Sequence, residues 1–579
     1  MKLINTLALF YLVSIFSFFA LDAGAVPVPS GQDVGATIQQ VDKEKTKEAV
    51  SKSLKEGKKQ AEVEGQEKVG TTPSQPSGAA GQVLIKKIVV QDVTLLSQKD
   101  IATVTVSYEG KELSLDGFRE VADKVTDLYR RKGYATSFAF IRPQKIENNT
   151  LIVSTLEGKL GTVSVSGNKW FNSDFLMHYL DVKKDTLFNY DVLKENLRQM
   201  NEHPDVSGRA VLSRGQTPGT TDVEVQVKDR VPLHATVGYN NYNSTFLDRN
   251  KYTVELKSTN LTGHGDIFST EFQTGEGDLY RLGSARYLLP LTSKSSVGGY
   301  YLHVDQSLSR SLKSADISGR GDVINAYYSY KLIDHDNFSF GVSPAFEYKN
   351  VKNKQAGNVT GEDYTRVLTL GFDLDATDHF KGRTIVTHQF DFGIPDIMGG
   401  LAAKDDGGSR LGSAGKFFRT VTNAARVQAM PLSTVLMLKS SAQFSNYNLP
   451  SSEQFQVGGY YTVRGYPVSE LSGDKGITLS TELYIPFYFL PKDRYIGHTN
   501  TSWRDAFSLV GFFDWGTASN NSPRVGEIKK ETIHSVGGGV RFNLTNTMYT
   551  AFDYGYPLGQ DPSTGSKKGI AYVETKIFF

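Results

Sequence analysis

The region from about Val231 to Phe579 alternates apolar and polar residues in short segments broken by Gly, Asn, Asp and Ser. Successive side chains of a β-strand point to opposite faces, so this alternation predicts strands with one apolar and one polar face. Clear examples are Ile477, Leu479, Thr481, Leu483 and Ile485 against Thr478, Ser480, Glu482 and Tyr484, and Ala571, Val573, Thr575, Ile577 and Phe579 against Tyr572, Glu574, Lys576 and Phe578. Helical periodicity is hardly seen, so this region is predicted to be all-β.

The polar faces of these strands must be explained by either a soluble sandwich or a barrel. Charges such as Glu482, Arg541 and Glu574 need hydration, which a sandwich provides on its outer surface and a barrel in its lumen. The length of the region, its aromatic end and the export signal described next favour a transmembrane β-barrel over residues 231–579. At about 22 residues for each strand with its connection, about 350 residues give about 16 antiparallel strands around a water-filled lumen.

The first residues predict a signal peptide over residues 1–25. Lys2 precedes an apolar run from Leu7 to Leu21, which the small residues Ala23-Gly24-Ala25 follow in the manner of a cleavage site. The run is shorter than the roughly 20 residues of a spanning helix, and no later segment matches it. The mature chain is therefore predicted to have no transmembrane helix.

The next segment, residues 26–69, lacks sustained apolar periodicity. Its charged part, about Ala36 to Lys68, carries a few apolar residues among many Lys, Glu and Gln. Two interpretations stay open, a solvated segment or a helix with a thin apolar face. Residues 70–82, rich in Gly, Pro, Ser and Gln, are predicted to be a flexible linker.

Residues 83–230 combine strand and helix patterns in two successive units. In the first, residues 83–158, apolar positions from Leu115 to Tyr129 recur at helical spacing between strand segments. In the second, residues 159–230, the helical stretches around Phe175 and Val192 lie between strand segments. Two tandem α+β modules are predicted, each with an edge strand available for pairing.

Composition and motifs give no support for an enzyme. Cys is absent, and 64 Lys plus Arg against 62 Asp plus Glu give no reason to propose a nucleic-acid partner. No nucleophile elbow, zinc-binding His pair or phosphate-binding loop is present, so neither a catalytic site nor a cofactor is predicted. Asp373, Asp375, Asp378 and His379 could form a cation site, but a strand end that runs into a turn explains them better, and no metal is predicted.

Two short segments have an unusual composition. Val463-Arg464-Gly465-Tyr466 lies in a Gly- and Tyr-rich loop between two strand patterns. Phe513-Asp514-Trp515-Gly516 ends a strand in which alternation places Phe513 and Trp515 outward and Asp514 inward. A lumenal carboxylate such as Asp514 needs a partner or water.

A Val-Arg-Gly-Tyr loop, a Phe-Asp-x-Gly strand and a terminal Phe579, after two small modules, resemble the transporters of two-partner secretion. The family belongs to the superfamily of barrel-assembly proteins and is of the haemolysin secretion/activation type. The resemblance implies 16 barrel strands, two periplasmic modules called POTRA domains, and an N-terminal helix in the pore. It therefore favours the helical interpretation of the charged part of residues 26–69, about Ala36 to Lys68. It also implies that Val463, Arg464, Gly465 and Tyr466 fold into the lumen towards the wall motif of Phe513, Asp514 and Gly516.

By the same resemblance, Arg464 forms an ion pair with Asp514, and Phe579 is a signal for barrel assembly. The expected partners are a large exoprotein, outer-membrane lipid and the machinery that inserts barrels, and the expected location is the outer membrane of a Gram-negative-type bacterium. We expect the exoprotein to be recognised in the periplasm and to cross unfolded, without ATP. The alternatives are an assembly factor for other barrels, which would usually have more than two modules, a porin-like channel, and an adhesin.

Overall fold

The computed structural model describes residues 33–55, 62–64, 81–180, 184–308, 316–404, 408–497, 499, 501–524, 526–544, 547–563 and 567–579. The predicted signal peptide, residues 1–25, and most of the predicted linker, residues 70–82, lie outside these ranges. The described chain comprises an N-terminal helix, two small α+β modules and a large closed barrel.

The first module contains five strands and two helices: β2 (Val83–Ile85), β3 (Lys87–Gln91), α2 (Gln98–Thr105), β4 (Lys111–Leu113), α3 (Leu115–Arg131), β5 (Phe138–Phe140) and β6 (Thr150–Leu156). Strands β3, β6 and β5 form a sheet in that order, and β2 pairs separately with β4. The apolar face of α3 is buried through Phe118, Val121, Val125 and Tyr129, at the helical spacing that the sequence shows. Gly133, with φ of +84°, follows the end of α3.

The second module repeats this plan with β7 (Lys159–Ser166), α4 (Ser173–His178), α5 (Tyr190–Glu202), β8 (Val206–Arg214) and β9 (Thr220–Asp229). A further strand, β1 (Glu62–Glu64), joins its sheet, whose order is β1-β8-β9-β7. The prediction for residues 36–68 therefore needs a correction. The N-terminal helix α1 runs only from Val34 to Lys55, and the chain then contributes a strand to the second module, because the edge of β8 offers unpaired backbone groups.

The barrel is built from sixteen strands, in agreement with the count of about 16 that the length of the region predicts. They are β10 (Leu233–Asn240), β11 (Lys251–Ser258), β12 (Ile267–Gly275), β13 (Tyr280–Pro290), β14 (Ser295–Ser307), β15 (Ile317–His335), β16 (Phe338–Gln355), β17 (Asn358–Thr377), β18 (Gly382–Gly393), β19 (Phe417–Ala429), β20 (Val435–Ser445), β23 (Lys475–Pro486), β24 (Phe507–Ser519), β25 (Lys530–Leu544), β26 (Met548–Pro557) and β27 (Ile570–Phe578). Every neighbouring pair is antiparallel, and β27 returns to β10 to close the sheet. The predicted fold class is confirmed.

The connections contain the strands β21 (Phe455–Val457) and β22 (Leu471–Gly473), which pair between β20 and β23, and the short helix α6 (Trp503–Ala506) before β24. They also contain three single-turn 3-10 helices, Glu276–Asp278, Pro431–Ser433 and Ser451–Glu453. Along β24 the side chains of Leu509 and Phe513 are exposed on the outer face, whereas Phe512 and Asp514 are buried inside. The outer face is thus apolar, as a wall against lipid requires.

The described residues contain no helix that is both long and apolar enough to cross a membrane.

The second module is fixed to the barrel by buried charges. Arg198 on α5, whose side chain is 3% exposed, places Nη2 2.9 Å from Asp334 Oδ2 at the end of β15. Lys331 on the same strand lies 2.8 Å from Glu202 of α5 and 3.2 Å from Asp334. Cations and anions thus alternate across the junction, which restricts how the module can tilt.

A second contact of the junction centres on Asp205, just after α5. Its Oδ2 accepts hydrogen bonds from His234 Nε2 at 2.8 Å and Thr259 Oγ1 at 2.5 Å, and both partners belong to the barrel region. Burial alone would raise the pKa of Asp205, but these hydrogen bonds lower it below its ordinary value. Asp205 is therefore held as an anion at neutral pH.

Replacing Arg198 with alanine is expected to loosen the second module, because breaking a buried ion pair from one side costs about 3–5 kcal/mol. Hydrogen exchange of the backbone from Asp334 to Asn337 should become faster by at least an order of magnitude. The matched control is Arg214→Ala, which removes an exposed arginine from the same module. Equal exchange rates in the two variants would contradict the anchoring role.

Candidate functional site in the barrel lumen

The connection between β20 and β23, residues 446–474, folds into the barrel and is called the lumenal loop below. Most of its residues from Leu449 onward are buried. Val463 and Tyr466 have no exposed surface, and they pack in an apolar cluster with Val457 of the loop and Ala518 and Ile533 of the wall. The loop is therefore held by its own hydrophobic contacts on both sides of Arg464.

Arg464 meets Asp514 of β24 in bidentate geometry. Its Nε donates to Asp514 Oδ2 at 2.7 Å, and its Nη2 donates to Asp514 Oδ1 at 2.9 Å. Ser480 Oγ donates to the same Oδ1 at 2.6 Å, and the backbone N–H of Arg464 donates to Oδ2 at 3.2 Å. A planar guanidinium matches a carboxylate in this way, which fixes the direction of the loop as well as its position.

Four further charges surround this pair. Glu482 Oε1 lies 2.9 Å from Arg464 Nη2 and 2.6 Å from Lys439 Nζ. Asp553 accepts from both terminal nitrogens of Arg541, at 2.7 Å and 2.8 Å, and lies 3.8 Å from Arg464 Nη1. Three cations and three anions therefore balance inside the barrel wall, so removing any one of them leaves a buried net charge.

An aromatic ring also contacts the side chain of Arg464. The guanidinium carbon lies 3.5 Å from the ring centroid of Phe512, which is a cation–π contact. Phe513, the aromatic residue of the predicted wall motif, lies on the outer face instead, as its alternation predicts. Phe512 was missed, although it has the same strand parity as Asp514 and could have been found from that.

Two glycines of the predicted motifs are sites of close approach. Gly465 has φ of +91°, and a Cβ there would lie 2.9 Å from the backbone of Gly555 on β26. A Cβ at Gly516 would lie 2.5 Å from Val457 and 3.0 Å from Val463 of the loop. Glycine at both positions therefore lets the loop backbone lie directly against the wall.

Helix α1 lies inside the barrel. Its apolar residues Val34, Ile38 and Val41 are buried against inward-facing residues of β13 to β16, including Leu282 and Val304. Two wall glycines make room for them, since a Cβ at Gly321 would lie 2.6 Å from Ile38, and one at Gly319 would lie 2.4 Å from Val34. The thin apolar face of α1, which the sequence permits, therefore packs against an apolar surface on the inner wall of the barrel.

Polar contacts hold the other sides of α1. Lys251 Nζ donates to Glu44 at 2.6 Å, Lys45 forms an ion pair with Glu271, and Thr37 donates to Gln306 at 2.6 Å. The helix also meets the lumenal loop: Gln39 donates to the carbonyl of Ser452 at 2.7 Å, and Lys43 donates to the carbonyl of Gln456 and lies over the ring of Phe455.

The length of α1 matches the depth of the membrane. Its 22 residues span about 33 Å at 1.5 Å per residue, close to the thickness of a bilayer core of about 30 Å. The first turn contacts Asn353 and Ser452, next to loops at the far end of the barrel from the modules. The helix therefore runs through the lumen and occupies it.

The remaining predicted site residues lie elsewhere. Phe579 extends the pairing of β27 with β10, the two strands that close the barrel, because its backbone exchanges two hydrogen bonds with Ala235. Its side chain is largely exposed. Asp375 pairs with Arg383 at 2.6 Å, and Asp378 pairs with Arg426 at 2.7 Å. The described ranges contain no group of three or more His, Asp or Glu suited to a metal ion.

Comparisons with known proteins bear directly on this arrangement. The family model "Haemolysin secretion/activation protein ShlB/FhaC/HecB" matches residues 219–542, and the model of a ShlB-type POTRA domain matches residues 83–158. The heme/hemopexin transporter protein HuxB of Haemophilus influenzae strain 86-028NP is 23% identical over 500 residues, which cover 83% of this chain and 84% of HuxB. The outer membrane transporter CdiB of Escherichia coli O6:K15:H31 strain 536 is 24% identical over 444 residues, which cover 74% and 72%.

Solved structures share the fold. CdiB from Escherichia coli has a TM-score of 0.73 at 19% identity and covers 96% of this chain and 100% of its own. BamA from Haemophilus ducreyi, lacking POTRA domains 1–3, has a TM-score of 0.52 at 13% identity and covers 86% and 100%.

A closed barrel with a lumenal loop, a helix in its pore and α+β modules at one end defines an outer-membrane transporter with periplasmic POTRA domains. The chain belongs to the haemolysin secretion/activation protein family of ShlB, FhaC and HecB. It is a transporter of two-partner secretion in a Gram-negative outer membrane, not an enzyme, and it exports a partner exoprotein. The resemblance found in the sequence is confirmed.

Proposed function

We propose that the exoprotein is recognised in the periplasm by strand addition to the first module and then crosses the barrel as an unfolded chain, without ATP. The observation that supports this most directly is the edge strand β5. It pairs with β6 on one side, and no strand pairs with its other side among the described residues. Phe138 and Phe140 of β5 are half-buried, so their rings add apolar surface beside the open backbone.

The two modules show which part of this edge is open. In the first, Thr126 Oγ1 of α3 accepts the outward N–H of Ala139 at 2.9 Å. In the second, the side chain of Asn201 on α5 exchanges two hydrogen bonds with the backbone of Gly208 on β8. A helix side chain therefore covers the start of each edge, and an added strand would pair with the residues that follow, from Phe140 to Arg142 in the first module.

The lumen offers a polar route once α1 has moved aside. The residues that bind α1 include Lys251, Glu271 and Gln306, whose side chains can hydrate when the helix leaves. An extended chain makes no lasting apolar contact in such a channel. Folding of the exoprotein outside the cell then disfavours its return.

Two further roles belong to this proposal. The pair of Arg464 and Asp514 holds the lumenal loop in its secretion-competent position, a role that its bidentate geometry supports. Phe579, at the seam between β27 and β10, is the signal that the barrel-assembly machinery recognises during insertion into outer-membrane lipid.

The broad test compares matched bacteria with and without this chain by quantitative proteomics of medium and outer membrane. We expect loss of one very large exoprotein from the surface and medium, with other barrels unchanged. Broad loss of outer-membrane barrels would instead indicate an assembly factor, and no change in either fraction would indicate a channel.

The recognition step is tested by a photo-crosslinking amino acid at Arg142, beside the open edge, in living cells that produce the exoprotein. We expect an adduct with the exoprotein at this position. The matched control is the same amino acid at Lys124, an exposed residue of α3 in the same module. Equal adducts at the two positions, or an adduct at Lys124 alone, would contradict strand addition at β5.

A further inference from the structure

One connection at the periplasmic end of the barrel is much longer than the others. Residues 487–506, which join β23 to β24 and are called the periplasmic connector below, comprise 20 residues, whereas each of the other connections at this end has eight or fewer. Short turns are typical of this side of an outer-membrane barrel. The periplasmic connector therefore has more residues than closing the sheet requires.

Hydrogen bonds give the periplasmic connector a defined fold. Arg504 of α6 donates from Nε to the carbonyl of Leu490 at 2.9 Å and from Nη2 to the carbonyl of Tyr488 at 2.9 Å. The backbone N–H of Trp503 donates to the carbonyl of Arg494 at 3.0 Å. The two ends of the connector are thus tied together, and its side chains keep defined directions.

Large apolar side chains are exposed on this part of the molecule. Phe489 of the connector is 80% exposed, and Leu432, in the turn between β19 and β20, is 79% exposed. The hydroxyl of Tyr488 donates to the carbonyl of Leu432 at 2.5 Å, so the connector and this turn form one surface. Tyr495 and Trp503 are exposed as well. Contact of such a patch with water is unfavourable, which points to a partner that covers it.

The exposed surface continues into the outer wall of the barrel. The ring of Phe487 lies 5.2 Å from that of Phe489 and 6.0 Å from that of Phe507, measured between centroids. Trp503 stacks on Phe507 with ring planes 4° apart. Phe507 begins β24 and has the same strand parity as Leu509, whose side chain is exposed on the outer face. The aromatic rings of the connector are therefore continuous with the surface that faces lipid.

Charged side chains accompany these rings. Lys492 and Arg494 are exposed, with Asp493 between them, and the carbonyl of Arg494 accepts the N–H of Trp503. At the border of a bilayer, aromatic rings occupy the headgroup level, and long basic side chains extend towards the polar surface. The periplasmic connector combines both residue types at the rim where the outer wall of the barrel begins.

We propose that the periplasmic connector is a lipid-binding surface, which inserts Phe489 and Leu432 into the periplasmic phospholipid leaflet of the outer membrane. Tyr495 and Trp503 then lie at the headgroup level, and Arg494 meets lipid phosphates. The partner is a lipid surface rather than a protein, because the exposed side chains extend the wall that lipid already covers.

The connector lies across the barrel from the second module. That module contacts Thr259, in the turn after β11, and Asp334, at the end of β15. The connector joins β23 to β24, about halfway round the sixteen-stranded ring from these contacts. The periplasmic rim is therefore held from two sides, by the second module on one and by lipid on the other, with the entrance to the lumen between them.

The experiment uses the full-length transporter, in which the absence of native Cys allows a single label at a chosen position. An environment-sensitive fluorophore is attached to Phe489→Cys, and the protein is placed in vesicles of phosphatidylethanolamine and phosphatidylglycerol, with or without a nitroxide near the top of one acyl chain. We expect the nitroxide lipid to lower the fluorescence by at least about threefold, because insertion brings the label to the acyl chains. A label at Leu432→Cys should respond in the same way.

The matched control is Lys124→Cys, which places the same label on an exposed residue of α3 in the first module. Its fluorescence should not respond to the nitroxide lipid. An equal response at Lys124 and Phe489 would overturn the proposal, because the label itself would then be binding lipid. Absence of a response at both Phe489 and Leu432 would overturn it as well.

A protein occupant is tested in living cells with a photo-crosslinking amino acid at Phe489. We expect adducts with phospholipid. An adduct with the exoprotein or with another protein, together with no response to nitroxide lipid, would replace the lipid surface with a protein-docking surface. The vesicles contain no exoprotein, so the fluorescence result does not depend on the proposed recognition at β5.

Discussion

Secretion of the exoprotein is expected to fall by about tenfold or more when Asp514 is replaced by alanine, while the barrel remains in the outer membrane. The change leaves the buried Arg464 guanidinium without its bidentate partner, and breaking a buried pair from one side costs about 3–5 kcal/mol. The lumenal loop then loses the contact that orients it. The measurement is exoprotein in the medium, normalised to folded transporter in the outer membrane.

The control for this variant is Asp375→Ala, which also removes a carboxylate that pairs with an arginine of the barrel wall, Arg383, but lies away from the loop. It should leave secretion within about twofold of the parent, because a partly exposed pair contributes about 1 kcal/mol or less. Unchanged secretion by Asp514→Ala, at an unchanged barrel level, would show that the pair does not hold the loop for secretion.

Replacing Gly321 with valine is expected to drive α1 out of the lumen and to raise the ion conductance of the pore several-fold. A Cβ at this position would lie 2.6 Å from Ile38 Cδ1 and 2.8 Å from Val34 Cγ1, so a valine forces these two side chains of α1 away from their present positions. Overpacking of this kind costs about 1–3 kcal/mol, which shifts the population towards the open lumen. Conductance in planar lipid bilayers is the measurement.

Gly283→Val provides the matched control, because a Cβ at that position of β13 meets no atom within 4 Å. Its conductance should equal that of the parent protein. If the two valine variants conduct equally, the close fit between Gly321 and α1 does not retain the helix in the lumen.

The sequence predicted the barrel because alternation is a local property that each strand carries by itself. The two modules were predictable for the same reason, since the apolar positions of α3 recur at helical spacing. The division of the N-terminal segment was not predictable. The strand at Glu62–Glu64 forms because β8, far along the chain, offers its edge, and three residues carry no strand signal of their own.

The candidate site was predicted only as far as its motifs reach. Arg464 and Asp514 were found through the resemblance, and the structure places them together. The surrounding charges were missed as a group because Glu482, Asp553 and Lys439 lie on different strands, and their proximity depends on the register of the whole sheet. The two wall glycines that make room for α1, Gly319 and Gly321, were missed because a glycine in a strand has no distinctive local pattern.

The seam of the barrel determines the order in which it can fold. Strands β10 and β27 are the first and last of the barrel, and they pair over five residues, from Thr236 opposite Phe578 to Asn240 opposite Glu574, with Ala235 and Phe579 extending the contact by two backbone hydrogen bonds. This contact has the highest sequence separation in the sheet, so its loop-closure entropy makes it a late step. A chain that stops before β27 would leave two unpaired edges, and a single late event therefore separates an aggregation-prone open sheet from a sealed one.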